Sequence, residues 1–243
     1  MINLGKLKIL EVVMDSFGER SIIHPTVIEQ DDYAILIDAG YPGQLSFFRE
    51  EMEKAGVPLE MTSKIIITHQ DIDHIGSLPA ILNEIPGKVE VLAHSLEKPF
   101  IQGDRPLIKG QALLKGVEAW PKEKQQEMNQ LKTLFENPPK SHVDQTISGG
   151  DELPYVGGLA VIDTPGHTPG HISLYHPPTK TLITGDALFV MDGKLVGPPP
   201  QLTIDMESAI ASVKGLMEYD IERLICYHGG LYEDNVEQRA KSF

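Results

Sequence analysis

Apolar positions along the chain alternate between two rhythms. The runs "KLKILEVV" (6–13), "SIIHPTVIEQ" (21–30) and "YAILIDAG" (33–40) are rich in β-branched residues and bounded by Gly, Asp-Asp and Pro, which predicts strands. In "GQLSFFREEMEKAG" (43–56), Leu45, Phe48, Met52 and Ala55 share one face of a predicted helix that ends on Gly56. "SKIIITH" (63–69) is apolar without interruption, as in a strand covered on both faces. "SLPAILNEI" (77–85) then reads as a helix and "KVEVLAH" (88–94) as a strand. Residues 97–142 break this rhythm with a helical or irregular insert, whose clearest helix is "KEKQQEMNQLKTLF" (122–135). Strands return in "LAVIDTPGHTPGHISLYHPPTKTLITGDALF" (159–189), followed by an amphipathic helix, "DMESAIASVKGLMEY" (205–219), and the strand "ERLICYH" (222–228). A last helix is expected to run to Phe243. This succession predicts two similar halves packed sheet to sheet.

At 243 residues the chain is long enough to bury a full core, and one domain spanning 1–243 is the first expectation. Lys, Asp or Glu interrupts every apolar run before it reaches membrane-spanning length, so no membrane partner is expected. The N-terminus lacks a basic segment followed by a small-residue cleavage site, and Cys226 is the sole cysteine. Both features point to a cytoplasmic protein with neither a disulfide framework nor a thiolate metal cage. The net charge of −14 argues against a nucleic-acid partner, because phosphate binding needs a basic face. Residues 97–142 depart from that acidity: eight Lys/Arg against six Asp/Glu give a local +2. Such a segment is either a solvated helical surface or a port for anionic substrates.

The candidate chemistry lies where strands end. Directly after "KIIIT" come His69, Asp71, Asp73 and His74, so four of six positions carry imidazole or carboxylate, side-chain types that divalent cations accept. His167 lies in the turn "DTPGHTPGH", Asp186 in "LITGDAL" and His228 in "LICYHGG", each just after an apolar strand and each beside glycine. Singly, each reads as an ordinary turn residue. Together they form a set of seven on loops that a scaffold of strands holds in place.

That set resembles the metallo-β-lactamase superfamily, whose order is H-x-H-x-D-H, a His in a T-P-G-H-T turn, an Asp and a final His. The resemblance runs through nearly the whole chain and implies an α+β fold, the αββα four-layer sandwich, with the helical insert near the active site. It implies two divalent metal ions, zinc in the first place. His69, Asp71 and His167 would hold one, Asp73, His74 and His228 the other, with Asp186 bridging. Asp38 in "LIDAG" would orient a ligand, His171 would be structural or support the ligands, and Tyr227 is either an oxyanion donor or a core tyrosine. The family usually has His where this chain has Asp71, and the additional oxygen ligand shifts metal preference toward iron or manganese.

Two divalent cations close together trap a water and lower its pKa, while one polarises the oxygen under attack. Asp73 would orient that nucleophile and carry a proton to the leaving group, which makes it the catalytic candidate. The resemblance is nearest in character to the lactonase and glyoxalase II-like branches, so a small acyl substrate (lactone, ester or thioester) is expected. Only fifteen residues follow His228, which leaves no room for a glutathione-holding helical domain in this reading. The alternatives are a di-iron redox protein of the flavodiiron kind, a phosphodiesterase and a non-catalytic binding domain. In the insert, Phe100, Leu107, Ile108, Leu113, Leu114 and Trp120 either line an apolar substrate wall or fix the insert to the body.

Overall fold

The computed structural model describes residues 2–4, 6–16, 19–116 and 125–236. The chain opens with β1 (Ile2–Leu4) and β2 (Leu7–Ile9), then pairs β3 (Val12–Ser16) with β4 (Glu19–Ile23). β5 (Thr26–Glu29) and β6 (Ala34–Ile37) lead into α1 (Leu45–Lys54), β7 (Thr62–Ile67), the one-turn α2 (Ile72–Ile75), α3 (Leu78–Glu84) and β8 (Glu90–His94). Between β8 and β9 (Gln145–Ile147) lie α4 (Lys98–Ile101), α5 (Ile108–Gly116) and α6 (Gln125–Glu136). The second half holds β10 (Glu152–Leu153), β11 (Leu159–Asp163), β12 (Ile172–His176) and β13 (Thr181–Gly185). A hairpin of β14 (Phe189–Met191) and β15 (Lys194–Val196), α7 (Met206–Leu216), β16 (Arg223–Cys226) and β17 (Gly230–Tyr232) complete it.

Two sheets result, ordered β1-β2-β5-β6-β7-β8-β9 and β10-β11-β12-β13-β16-β17. β6 to β9 run parallel, as do β13 and β16. The unbroken apolar runs arise because each central strand serves two cores. Side chains alternate across a strand, so Ile66 faces the layer between the sheets while Ile65 and Ile67 face the helices outside. Outside the first sheet, Phe48 and Met52 of α1 and Leu78 and Ile81 of α3 pack in that outer core. In the second sheet Ile183 and Ile225 face inward, whereas Leu182 and Leu224 meet Val213 and Leu216 of α7. The layers are therefore helix, sheet, sheet, helix, the expected four-layer α+β sandwich. No helix among the described residues is long and apolar enough to cross a membrane.

Two expectations are corrected. "SIIHPTVIEQ" is two strands, because Pro25 has no N–H to give a ladder and the His24 N–H bonds the carbonyl of Tyr227 instead. "KLKILEVV" likewise divides between β2 and β3. After His228 the chain turns back as β17, antiparallel to β16; residues 237–243, through which the last helix is expected to run, lie outside the described residues.

Candidate metal centre

The carboxyl ends of β6, β7, β11, β13 and β16 deliver Asp38, His69, His167, Asp186 and His228 to one edge of the paired sheets. The short α2 turns Asp73 and His74 back toward that edge. The result is two neighbouring triads, His69–Asp71–His167 and Asp73–His74–His228, whose ligand atoms lie within 4.8 Å of one another in each. Asp186 stands between them. Its Oδ1 is 3.3 Å from His74 Nε2, and its Oδ2 is 3.2 Å from His167 Nε2 and 3.5 Å from His228 Nε2. Asp71 Oδ2 is 3.3 Å from His69 Nε2 and 3.0 Å from His167 Nε2, and Asp73 Oδ2 is 3.2 Å from His228 Nε2. All seven ligand-type residues are thus brought together.

The surrounding hydrogen bonds fix which ring nitrogens face inward. The Thr68 hydroxyl donates to Asp38 Oδ2 at 2.8 Å, which leaves its oxygen to accept from His69 Nδ1 at 3.0 Å. His74 Nδ1 donates to the same carboxylate at 2.9 Å. Both rings therefore turn Nε2 toward the cluster, the arrangement by which outer carboxylates orient metal-binding imidazoles. Asp38 achieves this from a left-handed backbone (φ 64°), where Asp is tolerated better than most residues. His171 occupies a similar supporting place: its Nε2 accepts the Asp186 N–H at 2.9 Å, and Nδ1 bonds Thr164. Gly185 is required beside it, since a Cβ there would meet His171 Nε2 at 2.7 Å, on a backbone at φ +52°.

Tyr227 is a core tyrosine whose hydroxyl donates to the Asp73 backbone carbonyl at 2.5 Å and whose ring lies 3.9 Å from that of His74, tilted by 31°. Its proton is already committed, so the oxyanion-donor alternative is not what this geometry offers. Burial pushes its ionisation well above the usual phenol range.

Charges at the site reinforce one another. Burial favours a neutral His69 and, together with the neighbouring His74, holds it below the ordinary histidine value. At His74 burial works in the same direction, but Asp38, Asp186 and Asp73 outweigh it and hold that ring well above. His228, also desolvated, is pushed up to about 10 by Asp186 and Asp73. Burial raises the Asp186 carboxyl, yet His228, His74 and His167 win and keep it well below the carboxylate range. Asp71, Asp73 and Asp186 are thus held as carboxylates and His74 and His228 as cations by mutual support, despite burial.

His69 Nε2, His74 Nε2 and Asp186 Oδ1 are buried without a well-formed hydrogen bond in the protein, their carboxylate and imidazole neighbours standing off at 3.3 Å. Such atoms cost about 1–3 kcal/mol each when left unsatisfied. His69, His74 and Asp186 themselves form a third compact cluster linking the two triads. Bare imidazole nitrogens and a carboxylate oxygen converging in this way fit a divalent cation. The open side is equally defined: the Asp73 and His228 side chains are 21% and 26% exposed, while those of His69 and His74 are sealed off.

Two residues at the site carry no signal in the sequence. Glu97 is fully buried and accepts Gln70 N and Nε2, both at 2.9 Å, and Gly170 N at 2.7 Å. Lys109 of α5 donates to Asp71 Oδ2 and, at 2.6 Å, to His167 Nε2. Of the insert's apolar residues, Leu107, Phe100 and Leu114 fix it to the body, packing in the core outside the first sheet. Trp120 and the Leu113 side chain lie outside the described residues.

A sequence model of the metallo-β-lactamase superfamily matches residues 19–228. The probable metallo-hydrolase YflN of Bacillus subtilis is 32% identical over 214 residues, covering 80% of this chain and 75% of that protein. A hydroxyacylglutathione hydrolase of Brucella ovis is 42% identical over 72 residues, 28% of each chain. Among solved structures, a metallo-β-lactamase family protein from Thermus thermophilus superposes with a TM-score of 0.71 at 19% identity, over 98% of this chain and 77% of that one. At that identity the likeness bears on the fold alone.

Proposed function

The chain belongs to the metallo-β-lactamase superfamily, and from that premise we propose that it is a two-metal hydrolase of a small acyl substrate: a lactone, ester or thioester. One observation carries the reading. Two His/Asp triads flank Asp186 at the ends of the central strands, and His69, His74 and Asp186 form a third cluster that links them. His69, Asp71 and His167 would hold one cation, Asp73, His74 and His228 the other, and Asp186 both. Zinc suits the imidazoles, and iron or manganese suits the added carboxylate of Asp71. Bound there, divalent cations supply Lewis acidity, lowering the pKa of a water and polarising the carbonyl under attack.

The chain's own residues do the rest. Asp73 has the most exposed side chain of the three ligand carboxylates; it orients the attacking water and passes its proton to the leaving group. Asp38 and His171 hold His74 and Asp186 in place from behind. The acyl class is supported by the partial likeness to a hydroxyacylglutathione hydrolase, and the net charge of −14 speaks against phosphate-rich substrates. A lone, buried cysteine suits a reducing compartment, the cytoplasm in this reading.

The test is metal analysis of protein purified without added metal, followed by a panel of lactones, thioesters and phosphodiesters. Turnover of acyl compounds that stops on chelation is expected. Iron with oxygen consumption in the presence of a reductase, or efficient phosphodiester cleavage, would replace this reading.

A further inference from the structure

The insert reaches into the candidate metal centre through Lys109 alone among the described cationic side chains. Its ammonium bonds Asp71 Oδ2 and His167 Nε2, atoms from two of the three members of the first triad. The lone pair of His167 Nε2 can serve a proton donor or a metal ion, but not both. Asp71 Oδ2 is likewise the oxygen that faces His69 and His167. Lys109 therefore uses the donor atoms a cation would require.

This placement is built into the fold. Gln70, between His69 and Asp71, accepts the Ile108 backbone N–H with Oε1 at 2.9 Å and donates from Nε2 to Glu97. The first residue of α5 is thereby fastened to the ligand loop, and Lys109 follows it directly. The Lys109 side chain is only 20% exposed and the Asp71 side chain 14%, so the pair is largely withdrawn from the solvent that weakens surface ion pairs. The second triad meets no such competitor: among the described residues, no Lys or Arg pairs with Asp73 or Asp186. Asp71 also gains a physical reason here, since a carboxylate attracts an ammonium more strongly than a neutral imidazole would.

We propose that Lys109 is a built-in competitor for the first metal position, so that the two positions load in order: Asp73–His74–His228 fills first, and His69–Asp71–His167 fills only by displacing the ammonium. The inference rests on the metal reading of the site and adds to it an inequality between the two positions. A charge-assisted pair to two ligand atoms is strong enough to weaken the first position about ten-fold or more.

Metal-free protein is titrated with Zn2+ in chelator-buffered solutions, and bound zinc is counted for wild type, Lys109→Met and Lys109→Ser. Wild type is expected to fill in two separated steps. Both variants should tighten the second step about ten-fold or more while leaving the first unchanged. Identical steps in all three proteins, or movement of the first step only, overturn the proposal while leaving the metal reading in place. Absence of bound zinc in all three overturns both. A second measurement needs no variant: reductive methylation of wild-type Lys109, followed by peptide mass spectrometry across the titration. Labelling should stay slow through the first equivalent and accelerate with the second. A constant rate throughout overturns the proposal.

Discussion

Glu97 accepts the backbone N–H of Gly170 at 2.7 Å across the gap between the two ligand-bearing loops. Its other oxygen holds the backbone and side chain of Gln70, so one buried carboxylate ties the loop of His69 and Asp71 to the turn of His167. Gly170 permits this approach, because a Cβ there would come within 2.6 Å of His94 and 3.0 Å of Glu97. Glu97→Ala leaves three N–H groups without their acceptor, each costing about 1–3 kcal/mol when buried. Destabilisation by about 3 kcal/mol or more is expected in urea melts, together with weaker metal binding. Glu97→Gln can still serve Gln70 with its oxygen but turns an NH2 toward Gly170, so it should fall in between. Wild-type metal affinity in Glu97→Ala would show that the two loops hold their places without this clamp.

Removing direct ligands tests the centre itself. His69→Ala, His74→Ala and Asp186→Ala should each lose bound metal and turnover together. Each should also abolish the difference in melting temperature between metal-loaded and chelator-treated protein, because metal binding and folding are linked. A variant that retained full metal content and full turnover would remove that residue from the assignment.

Asp38 separates orientation from backbone strain. Asp38→Asn keeps a residue that tolerates the left-handed conformation at φ 64°, yet its single oxygen can no longer accept from both His74 Nδ1 and the Thr68 backbone N–H. A metal affinity lowered about 10- to 100-fold with a native circular dichroism spectrum is expected. Unchanged affinity would mean that the His74 ring is held by packing against Tyr227 alone.

Much of this arrangement is legible in the sequence for a physical reason. Central strands apolar on both faces announce two cores, and chemistry-bearing residues immediately after such strands announce an edge where loops meet. Asp38, His69, His167, Asp186 and His228 carry that signal. Glu97 and Lys109 do not, because their meaning depends on where the insert folds back. Glu97 reaches a turn 73 residues away and Lys109 a histidine 58 residues away, and both residue types are ordinary on a wet helix. Pro25 signals a break, but the β-rich residues on either side mask it; its consequence is visible only once His24 bonds Tyr227.

At the start of α7, Asp205 accepts the Ser208 hydroxyl at 2.7 Å and its backbone N–H at 3.1 Å, and these bonds hold its carboxyl below the usual value. The same helix start is pinned to the His167 turn, where the Ile204 and Asp205 N–H groups bond the Gly166 carbonyl. Asp205→Ala should lower the melting temperature of metal-free protein by about 2–4 °C near neutral pH. A depressed folded-state pKa gives stability that is present above the unfolded carboxylate pKa and is lost as pH falls through the folded one. The gap between wild type and variant should therefore shrink as pH drops below about 4. A gap that holds constant through the acid range would assign the effect to something other than the charged cap.

Asp71 and Lys109 should act as a unit. Asp71→His removes the carboxylate that draws the ammonium and replaces a hard oxygen with an imidazole. The first position should then favour zinc over manganese more strongly than in wild type, because nitrogen donors rank zinc above manganese more sharply than oxygen donors do. The same substitution should blunt the effect of Lys109→Met, since the lysine has already lost its charged partner. A double-mutant cycle on Zn2+ affinity at the weaker position reads this coupling directly. Residues that share an ion pair deviate from additivity by about 0.5–3 kcal/mol, whereas independent sites add to within about 0.5. Strict additivity would mean that Lys109 bears on the centre through His167 alone. Asp71 would then keep its place in the triad as a ligand, without a role in setting the order in which the metals bind.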